Sequence, residues 1–378
     1  MKEIFCGKVY ASGTWLENCI IRMQDGKIGA ILPNSQAPAG AENFAELICT
    51  PGFIDIHTHG SDGRDTMDGT VESLQIMADF VVTHGTTAFL PTTMTASPER
   101  ILQSLKALDA IMKSKHSGAQ ILGTHLEGPF INVAAKGAQN EIYIQAPTIE
   151  NFKRITGDYM HVARTITLAP EIEGARELVP YLAAHGIMPI IGHTKATYDQ
   201  ARESFGWGIR HTTHLFNAMT GLHHREPGVV GAALEDSMVT VELIADMIHI
   251  HPAVIRTVIA AKGPQQIALV TDSMSAAGLK DGQYDLGGQA VFVKGEEARL
   301  ADGTLAGSII TQDIALRNLA AHGIDLGTIL QMLTATPAHI LGIDAHKGVI
   351  RAGMDADLTL LSADLNVEAV YIAGERVK

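Results

Sequence analysis

The sequence predicts an α/β protein built on a (β/α)₈ TIM barrel, with a small β-sandwich domain formed by both termini. Three observations predict this fold. Eight short apolar runs recur through the middle of the chain, separated by segments of helical period. The two ends are rich in Val, Ile and Leu, in alternating patterns typical of strands. The length of 378 residues suits a barrel of roughly 250 residues plus a satellite domain.

The two ends of the chain have a similar strand-forming composition. Residues 1–50 alternate apolar and polar side chains around the turn signal Asp25-Gly26. Residues 346–378 are again rich in apolar strand formers and contain glycine turns. Because these ends flank a different middle, we expect them to pair into one β-sandwich domain, with the barrel inserted as residues 51–345.

The middle of the chain alternates in the way that a barrel requires. Short apolar runs followed by helical segments are typical of repeated βα units. The runs, in order, are PGFIDIH, TAFLPT, AQILGTHLE, RTITLAPE, IMPIIGH, IRHTTH, TVELIAD and QIALVTD. Residues 275–310 break this rhythm and predict a glycine-rich hairpin inserted after the eighth strand.

Composition and charge exclude several classes of protein. Hydrophobic residues make up 46% of the chain and charged residues 18%, which predicts a large buried core. A net charge of −13 argues against nucleic acid as a partner, because a phosphate backbone requires a basic surface. An anionic ligand would need a local cluster of positive groups for the same reason.

The cysteines and the apolar runs bear on the cellular location. The three cysteines, Cys6, Cys19 and Cys49, show no C-x-x-C spacing, which is typical of reduced thiols in a cytosolic protein. The sequence contains no uncharged apolar run of membrane-spanning length and no signal-peptide pattern at its start. We therefore expect a cytoplasmic protein without a membrane partner.

Several apolar runs end in residue types that bind metal ions. In a barrel, the carboxyl ends of all strands open onto one face, so these groups are expected to converge. The i, i+2 spacing of the first pair places both side chains on the same side of a strand. Imidazole and carboxylate ligands suit Zn²⁺ or Fe²⁺, with a position left open for water. The candidates are His57 and His59 after the first run, His125 and Glu127 after the third, His193 after the fifth, His214 after the sixth, and Asp272 after the eighth.

Each of these residues has an ordinary structural explanation when it is taken alone. Glu127 could be an ion-pair partner and Asp272 the N-cap of the following helix. Their joint occurrence at the ends of five predicted strands favours a shared metal site instead. The remaining histidines that lie in helical or loop stretches are interpreted as structural; they are His84, His116, His161, His185, His322 and His346.

Seven motifs, in order along the chain, resemble those of a known enzyme family. PGFIDIHTHG, GTHLEGPF, IIGHT, THLFNAM, HHREPG, TDSM and GTLAGS resemble the N-acetylglucosamine-6-phosphate deacetylases of the amidohydrolase superfamily. The first motif marks only the superfamily, whereas HLEGPF with HLFNAM and REPG is specific to the deacetylases. The resemblance covers essentially the whole chain. It implies hydrolysis of the acetamide of N-acetylglucosamine 6-phosphate to glucosamine 6-phosphate and acetate.

The resemblance also implies roles for the candidate ligands. Glu127, His193 and His214 correspond to the ligands of the principal divalent metal ion, and Asp272 corresponds to the catalytic base. His57 and His59 vary within the family. Because this sequence has both, we expect one or two ions per chain, the second bridged by Glu127.

Further positions correspond to residues that contact the substrate in the family. Asn217, Ala218 and Arg225 match phosphate-binding positions, and His249 matches a histidine that contacts the sugar. Ala138, Gln139 and Leu305 complete the set of substrate positions. In the family, the equivalent of Arg225 reaches into the neighbouring subunit's site, so a homodimer is implied.

The sequence departs from the family pattern at one position. The family usually has KGAHN or KGTHN after HLEGPF, and that histidine helps to polarise the substrate carbonyl. Here Gln139 stands in its place. An amide can donate a neutral hydrogen bond to the carbonyl but cannot become a cation. The departure leaves open a weaker or differently specialised enzyme, or an altered position.

Three alternatives to this function remain. The first is the same chemistry on N-acetylgalactosamine 6-phosphate, which differs only at C4. The second is a cyclic amidase of the dihydroorotase type, disfavoured because Glu127 stands where a carboxylated lysine would be required. The third is a catalytically inactive phosphosugar-binding homologue. Asp272 and the complete ligand set argue against it.

Overall fold

The computed structural model describes residues 1–34 and 37–378. The N-terminal strands are β1 (Lys2–Ala11), β2 (Thr14–Gln24), β3 (Lys27–Pro33) and β4 (Glu42–Pro51). The middle strands are β5 (Phe53–Thr58), β6 (Gly60–Ser61), β7 (Arg64–Asp65), β8 (Thr86–Thr93), β9 (Gln120–Ile121), β10 (Thr124–Glu127), β11 (Ala163–Leu168), β12 (Met188–Ile191), β13 (His211–Thr212), β14 (Thr240–Ile244) and β15 (Ile267–Val270). They are followed by β16 (Gly282–Leu286), β17 (Gln289–Lys294), β18 (Glu297–Leu300), β19 (Leu358–Leu361), β20 (Val367–Ile372) and β21 (Glu375–Arg376).

The α-helices lie between the middle strands and after the last of them. They are α1 (Val71–Thr83), α2 (Pro98–Lys113), α3 (Ile149–Thr156), α4 (Ala175–Ala184), α5 (Tyr198–Trp207), α6 (Gly228–Glu235), α7 (Pro252–Lys262), α8 (Gln312–Ala321), α9 (Leu326–Leu333) and α10 (Ala335–Ile340). Short 3₁₀ helices lie at Thr66–Asp68, Val133–Ala135, Glu141–Tyr143, Gly157–Val162 and Pro264–Gln266. Among the described residues, no helix combines the length and apolar character needed to cross a bilayer.

The middle strands form a parallel barrel. Their order is β5-β8-β10-β11-β12-β13-β14-β15, and each of the eight predicted runs overlaps one of them. The backbone N–H of Asp272, just after β15, donates a hydrogen bond of 2.8 Å to the carbonyl of His57 in β5. This bond brings the first and last strands together. The (β/α)₈ fold class predicted from the sequence is confirmed.

The helices begin at residues that satisfy free backbone N–H groups. The Ser97 side chain accepts a hydrogen bond from the backbone of Arg100 at the start of α2, and Pro98 occupies the first turn. Ile101, Leu105 and Leu108 follow at helical spacing and are buried. Their burial places one face of α2 against the barrel, where they join the main hydrophobic core.

Both ends of the chain contribute to one sheet outside the barrel. Its order is β21-β20-β19-β4-β1-β2-β3, with β4 antiparallel to β19 so that Cys49 pairs with Leu360. Hydrogen bonds run continuously through these strands, and a second hydrophobic core lies against them. The pairing of the two ends agrees with the sequence prediction. We propose the division into residues 1–50 with 346–378, and 51–345, on this basis.

The predicted insertion after the eighth strand forms a small sheet. β16, β17 and β18 pair antiparallel in that order, so the segment has three strands where the sequence predicted a hairpin. Its inner residues Leu286, Val291 and Ala298 are buried. Leu286 and Arg299 of the insertion lie beside Glu127 and Asp272 at the barrel opening, so the insertion covers one side of it.

Ion pairs also join the two ends of the chain. The ammonium group of Lys347 contacts the carboxylates of Asp355, at 3.1 Å, and Asp357. Asp355 also pairs with Lys27, the first residue of β3. The side chains of Lys347 and Asp357 are 9% and 7% exposed, so this pair is shielded from water.

We predict that Lys347→Met destabilises the protein much more than Lys2→Met. The first change leaves the Asp357 carboxylate buried with its cation removed, and breaking a buried pair in this way costs ~3–5 kcal/mol. Lys2 pairs with Glu375, whose side chain is 80% exposed, and such surface pairs contribute less than ~1 kcal/mol. Urea unfolding of both variants measures the difference. Equal losses would show that the Lys347 network contributes no more than a surface ion pair.

Candidate active site

The predicted metal-binding residues lie around one mouth of the barrel. Each is the last residue of a strand or lies within two residues of a strand's carboxyl end. His57 lies in β5 and His59 follows it, Glu127 ends β10, His193 follows β12, His214 follows β13, and Asp272 follows β15. The barrel therefore brings them together as the sequence predicted.

The backbone turns sharply at three of these residues. His193, His214 and Asp272 have φ angles of 47°, 22° and 46°, in the left-handed region that non-glycine residues rarely adopt. Such conformations cost about 1–3 kcal/mol each and persist only where neighbouring contacts enforce them. For Asp272 these contacts include its carbonyl, which accepts a hydrogen bond of 2.7 Å from the backbone N–H of Ser308.

The carboxylate of Glu127 lies at the centre of the site and is 2% exposed. Its Oε1 atom is 3.1 Å from Nε2 of His193 and 3.0 Å from Nε2 of His214. Its Oε2 atom is 3.2 Å from Nε2 of His59. Nε2 of His57 lies 3.5 Å from Oε1. Four imidazole nitrogens thus face one carboxylate.

The other ring nitrogen of these histidines faces a hydrogen-bond acceptor. Carbonyl and carboxylate oxygens only accept hydrogen bonds, so each Nδ1 carries a proton and the Nε2 of a neutral ring has a free lone pair. The contacts are His193 Nδ1 to Ala135 O at 2.9 Å, His214 Nδ1 to Asn217 O at 3.1 Å, His59 Nδ1 to Thr92 O at 3.3 Å, and His57 Nδ1 to Glu242 Oε2 at 3.0 Å.

This donor set fits divalent metal ions. The Nε2 atoms of His193 and His214 are 3.2 Å apart, and those of His57 and His59 are 3.3 Å apart. Two lone pairs at such a distance repel each other, and so do two N–H groups, whereas a cation between them accepts both. The ligand atoms of Glu127, His193 and His214 lie within 4.8 Å of one another, as do those of His57, His59 and Glu127.

The charges of the site also favour bound cations. Burial lowers the pKa of His57, but Asp272, Glu242 and Glu127 outweigh it and raise the pKa to about 9. Burial raises the pKa of Glu127, yet the neighbouring His193 and His57 bring it well below its usual value. The carboxylates therefore attract positive charge, which either protons or metal ions can supply.

Asp272 combines ionisation with access to the cavity. Its Oδ1 atom lies 3.2 Å from Nε2 of His59 and 3.4 Å from Nε2 of His57. Burial raises the pKa of this carboxyl, but the nearby His57 and His59 lower it by a larger amount, so the pKa lies below its usual value. An ionised carboxylate at this position can accept a proton.

Glu242, a residue that the sequence reasoning missed, supports the site from below. It is fully buried in β14 and accepts hydrogen bonds from His57 Nδ1 at 3.0 Å, His211 Nε2 at 3.2 Å and the backbone N–H of His214 at 3.0 Å. The sequence feature that could have revealed it is an acidic residue in the middle of the apolar run TVELIAD. A carboxylate behind a histidine fixes its tautomer and orientation.

His125 lies beneath the site, among the buried side chains. Its Nε2 atom is 2.7 Å from the hydroxyl of Thr167, and burial lowers its pKa to about 3. Its ligand atom groups with those of His57 and Glu242, within 4.8 Å. In that set, His57 Nδ1 and Glu242 are already joined by a hydrogen bond.

A cavity of about 580 Å³ opens above Glu127. Most of the predicted site residues line it: Ala138, Gln139, Asn217, Ala218, His249 and Leu305, together with His59, Glu127, His193, His214 and Asp272. His57 is fully buried beneath it. The cavity has space for a sugar phosphate.

Arg225 lies away from the cavity, unlike the other predicted substrate-binding residues. It is exposed in the loop at 221–226, outside the lining of the cavity, and its Nη1 atom is 2.6 Å from Nε2 of His224. A single chain therefore does not bring Arg225 to the other site residues. Its role across a subunit boundary stays a prediction.

Two of the residues predicted to contact the substrate form hydrogen bonds with other side chains. The Nδ1 atom of His249 lies 2.6 Å from Oδ2 of Asp246, so Nε2 is the nitrogen available to a ligand. Gln139 is 2% exposed and donates a hydrogen bond of 2.5 Å from Nε2 to Oε2 of Glu127. Its contact with a substrate carbonyl stays a prediction.

The sequence reasoning also missed two cations of the cavity wall. Lys195 follows His193 closely, and Arg299 comes from β18 of the insertion; both line the cavity. The guanidinium group of Arg299 donates 2.7 Å hydrogen bonds to Glu297 Oε2 and the carbonyl of Gly303. Lys195 could have been predicted, because it lies two residues after His193 of the IIGHT motif. Arg299 could not have been predicted, because no pattern in the sequence indicates that the insertion lies beside the cavity.

Comparison with known proteins assigns the chain to a family. Residues 48–377 match the amidohydrolase family. The chain is 39% identical to the N-acetylglucosamine-6-phosphate deacetylase of Bacillus subtilis, across 93% of this chain and 91% of the relative. It is 37% identical to the N-acetylgalactosamine-6-phosphate deacetylase of Escherichia coli O157:H7, across 96% and 95%.

A solved structure agrees with these relatives. A variant of N-acetyl-D-glucosamine-6-phosphate deacetylase from Mycobacterium smegmatis, in complex with N-acetyl-D-glucosamine 6-phosphate, matches with a TM-score of 0.94 and 32% identity. The match covers 100% of this chain and 99% of that one. The protein is thus a member of the amidohydrolase family, in the branch that contains the N-acetylglucosamine-6-phosphate deacetylases.

Proposed function

We propose that this chain hydrolyses the acetamide of N-acetyl-D-glucosamine 6-phosphate to D-glucosamine 6-phosphate and acetate, in amino-sugar metabolism. The observation that carries the proposal is the joint position of Glu127, its four imidazole neighbours and Asp272 at the base of a cavity of sugar-phosphate size. The names of the curated relatives support the same substrate class.

N-acetylgalactosamine 6-phosphate is the second candidate substrate. The Escherichia coli relative named for that sugar is 37% identical over almost the whole chain. The two sugars differ only in the orientation of the C4 hydroxyl, so the acetamide and the phosphate can occupy the same places. Discrimination between them rests on hydrogen bonds to one hydroxyl.

Glu127, His193 and His214 would hold a divalent metal ion, and His57 and His59 would share Glu127 with a second one. We propose Zn²⁺ or Fe²⁺, because imidazole and carboxylate donors suit both. A divalent ion in such a site acidifies water and polarises a carbonyl.

Asp272 provides the proton transfers. Its ionised carboxylate takes a proton from the attacking water as the oxygen adds to the acetamide carbon. It then gives that proton to the nitrogen as the C–N bond breaks, so that the sugar leaves as a neutral amine rather than an amide anion. Water is consumed, and acetate and the amino sugar are released.

The remaining predicted residues are proposed to bind the sugar and its phosphate. Asn217, Ala218 and a neighbouring subunit's copy of Arg225 would contact the phosphate, and Nε2 of His249 would contact a sugar hydroxyl. Ala138, Gln139 and Leu305 would form the wall beside the sugar. We accordingly propose a homodimer. The three free, buried cysteines fit a reducing compartment, and we propose a cytoplasmic location.

The proposed function is tested by measuring acetate release from three sugars. We expect the highest kcat/KM for N-acetylglucosamine 6-phosphate, lower values for the galacto isomer, and very low values for unphosphorylated N-acetylglucosamine. Activity should disappear after chelation and return with Zn²⁺ or Fe²⁺, because the bound metal ion is the only Lewis acid in the proposed mechanism. Hydrolysis of neither phosphorylated sugar, or full activity of the metal-free protein, would refute the proposal.

We predict that Asp272→Asn lowers kcat by roughly 100-fold or more, since an amide of the same size cannot accept the proton of water. Because the change is nearly isosteric, KM should change little. Asp158→Asn, at an exposed position, is the matched control and should retain wild-type kinetics. Steady-state acetate release measures both variants. A near-normal kcat for Asp272→Asn would assign Asp272 a structural role.

We predict that Arg225→Ala raises KM for the phosphorylated sugar by about 10- to 150-fold, the equivalent of a lost charge-assisted contact of 1.5–3 kcal/mol. The unphosphorylated sugar should be unaffected, since it has no group for the guanidinium to bind. Arg256→Ala, at another exposed arginine, serves as the control for net charge.

Mixing two variants tests whether Arg225 acts across a subunit boundary. A dimer of one Arg225→Ala chain and one Asp272→Asn chain would contain one intact site if Arg225 serves its neighbour. With substrate well below KM and after random exchange of subunits, about a quarter of the wild-type activity should return. If Arg225 acts within its own chain, the mixture shows only the mean activity of its two components.

A further inference from the structure

The segment that carries Gln139 is closely packed against the metal-binding residues. The backbone N–H of Gln139 donates a hydrogen bond of 2.9 Å to the carbonyl of Lys136, which forms a turn between two 3₁₀ helices. Gly137 lies in this turn at φ +54°, where a Cβ would approach Cε1 of His193 to 3.4 Å. The carbonyl of Ala138 accepts a hydrogen bond from Gln289 of the inserted sheet. The turn is thus held from both sides.

The amide of Gln139 has only one chemically consistent orientation. Its oxygen accepts a 2.7 Å hydrogen bond from the backbone N–H of Thr95. Its nitrogen donates a 2.5 Å hydrogen bond to Oε2 of Glu127 and lies 3.6 Å from the sulfur of Met94. A flipped amide would place an oxygen against the carboxylate and an NH₂ group against an N–H, so both contacts would become repulsive.

The hydrogen bond from Gln139 reaches only one of the two Glu127 oxygens. Oε1 faces the imidazoles of His193 and His214, at 3.1 and 3.0 Å, and lies 3.5 Å from Nε2 of His57. Oε2 faces His59, at 3.2 Å, and is the oxygen that receives the amide N–H. The two sides of the carboxylate therefore depend on different neighbours.

We propose that Gln139 is a positioning residue that fixes Oε2 of Glu127 and thereby governs how tightly a second divalent ion is retained at His57 and His59. The inference rests on the proposed metal-dependent function. Without the amide, the carboxylate can tilt about Oε1, which His193 and His214 still hold, so Oε2 no longer keeps its place opposite His59. Oε1 keeps its two imidazole neighbours, and the ion at His193 and His214 keeps its ligands.

A neutral donor suits this position better than a cationic one. An imidazolium in hydrogen-bond contact with Glu127 would add a positive charge beside the cations that the site binds, and its repulsion would weaken them. The amide restrains the carboxylate without this cost.

The proposal is tested by metal binding in the absence of substrate. Metal-free wild-type protein and the variants Gln139→Met and Gln139→Asn are titrated with Zn²⁺ in competition with a chromophoric chelator. Methionine keeps the length of the side chain without a strong donor, whereas asparagine keeps the amide but is too short to reach Glu127. Gln283→Met, at an exposed position of β16, is the control.

We expect two equivalents of Zn²⁺ in the wild type and in the control. Both Gln139 variants should bind the first ion with unchanged affinity and the second about 10- to 100-fold more weakly, the usual effect of losing a partner that orients a metal ligand. The unchanged first ion also shows that the variants are folded, and each variant can carry the test alone.

Three results would overturn the proposal: an unchanged second affinity in either variant, an equal loss for both ions, or a single ion in the wild type. Because no substrate is present, an error in the assigned sugar cannot alter the outcome. The proposed function and the role of Gln139 can therefore fail separately.

Discussion

The arrangement of the active site depends on one buried carboxylate. Removing an ionised carboxylate from water costs several kcal/mol even in a relaxed protein interior, so Glu127 is tolerated only with partners that supply positive charge or hydrogen bonds. Its two oxygens meet separate sets of imidazoles, and Gln139 donates to one of them. Acceptors behind the imidazoles direct every Nε2 toward this group. The site is therefore organised from Glu127 outward.

The barrel supplies the geometry that this organisation requires. The predicted ligands are far apart in sequence, and only the common direction of parallel strands brings them to one mouth. Closure between β5 and β15 places Asp272 opposite His57 and His59. The backbone is left-handed at His193, His214 and Asp272, and all three residues line the cavity. The rigidity of the strands compensates for the strain at their ends.

The sequence predicted those features that depend on local periodicity. The runs that form the barrel strands and the ligand types at their ends follow from apolar spacing and from barrel geometry, so the positions of Glu127, His193 and Asp272 could be inferred. Glu242 was missed because a single acidic residue within an apolar run does not alter the periodicity from which the strand was predicted. The insertion was predicted as a hairpin, and the structure adds a third strand, β18.

Contacts made by loops could not be predicted in this way. The sequence shows that Gln139 replaces a histidine, but its hydrogen-bond partner depends on the turn at Lys136 and on the approach of Thr95. Lys195 and Arg299 reach the cavity through segments whose course has no signature in the sequence. Arg225 lies outside the cavity lining within one chain, and its predicted role across a subunit boundary came from the family resemblance, not from a pattern in the sequence.

The pairing of β4 with β19 has a consequence for synthesis on the ribosome. The strands β1 to β4 emerge first and β4 can pair with β1, but its other partner, β19, emerges only after the entire barrel has been made. Until then, the β4 edge that contains Ile48 and Cys49 presents unpaired N–H and C=O groups beside an apolar surface, which is a template for pairing with other nascent chains. The growing polypeptide is therefore most vulnerable to aggregation before its last strands are translated.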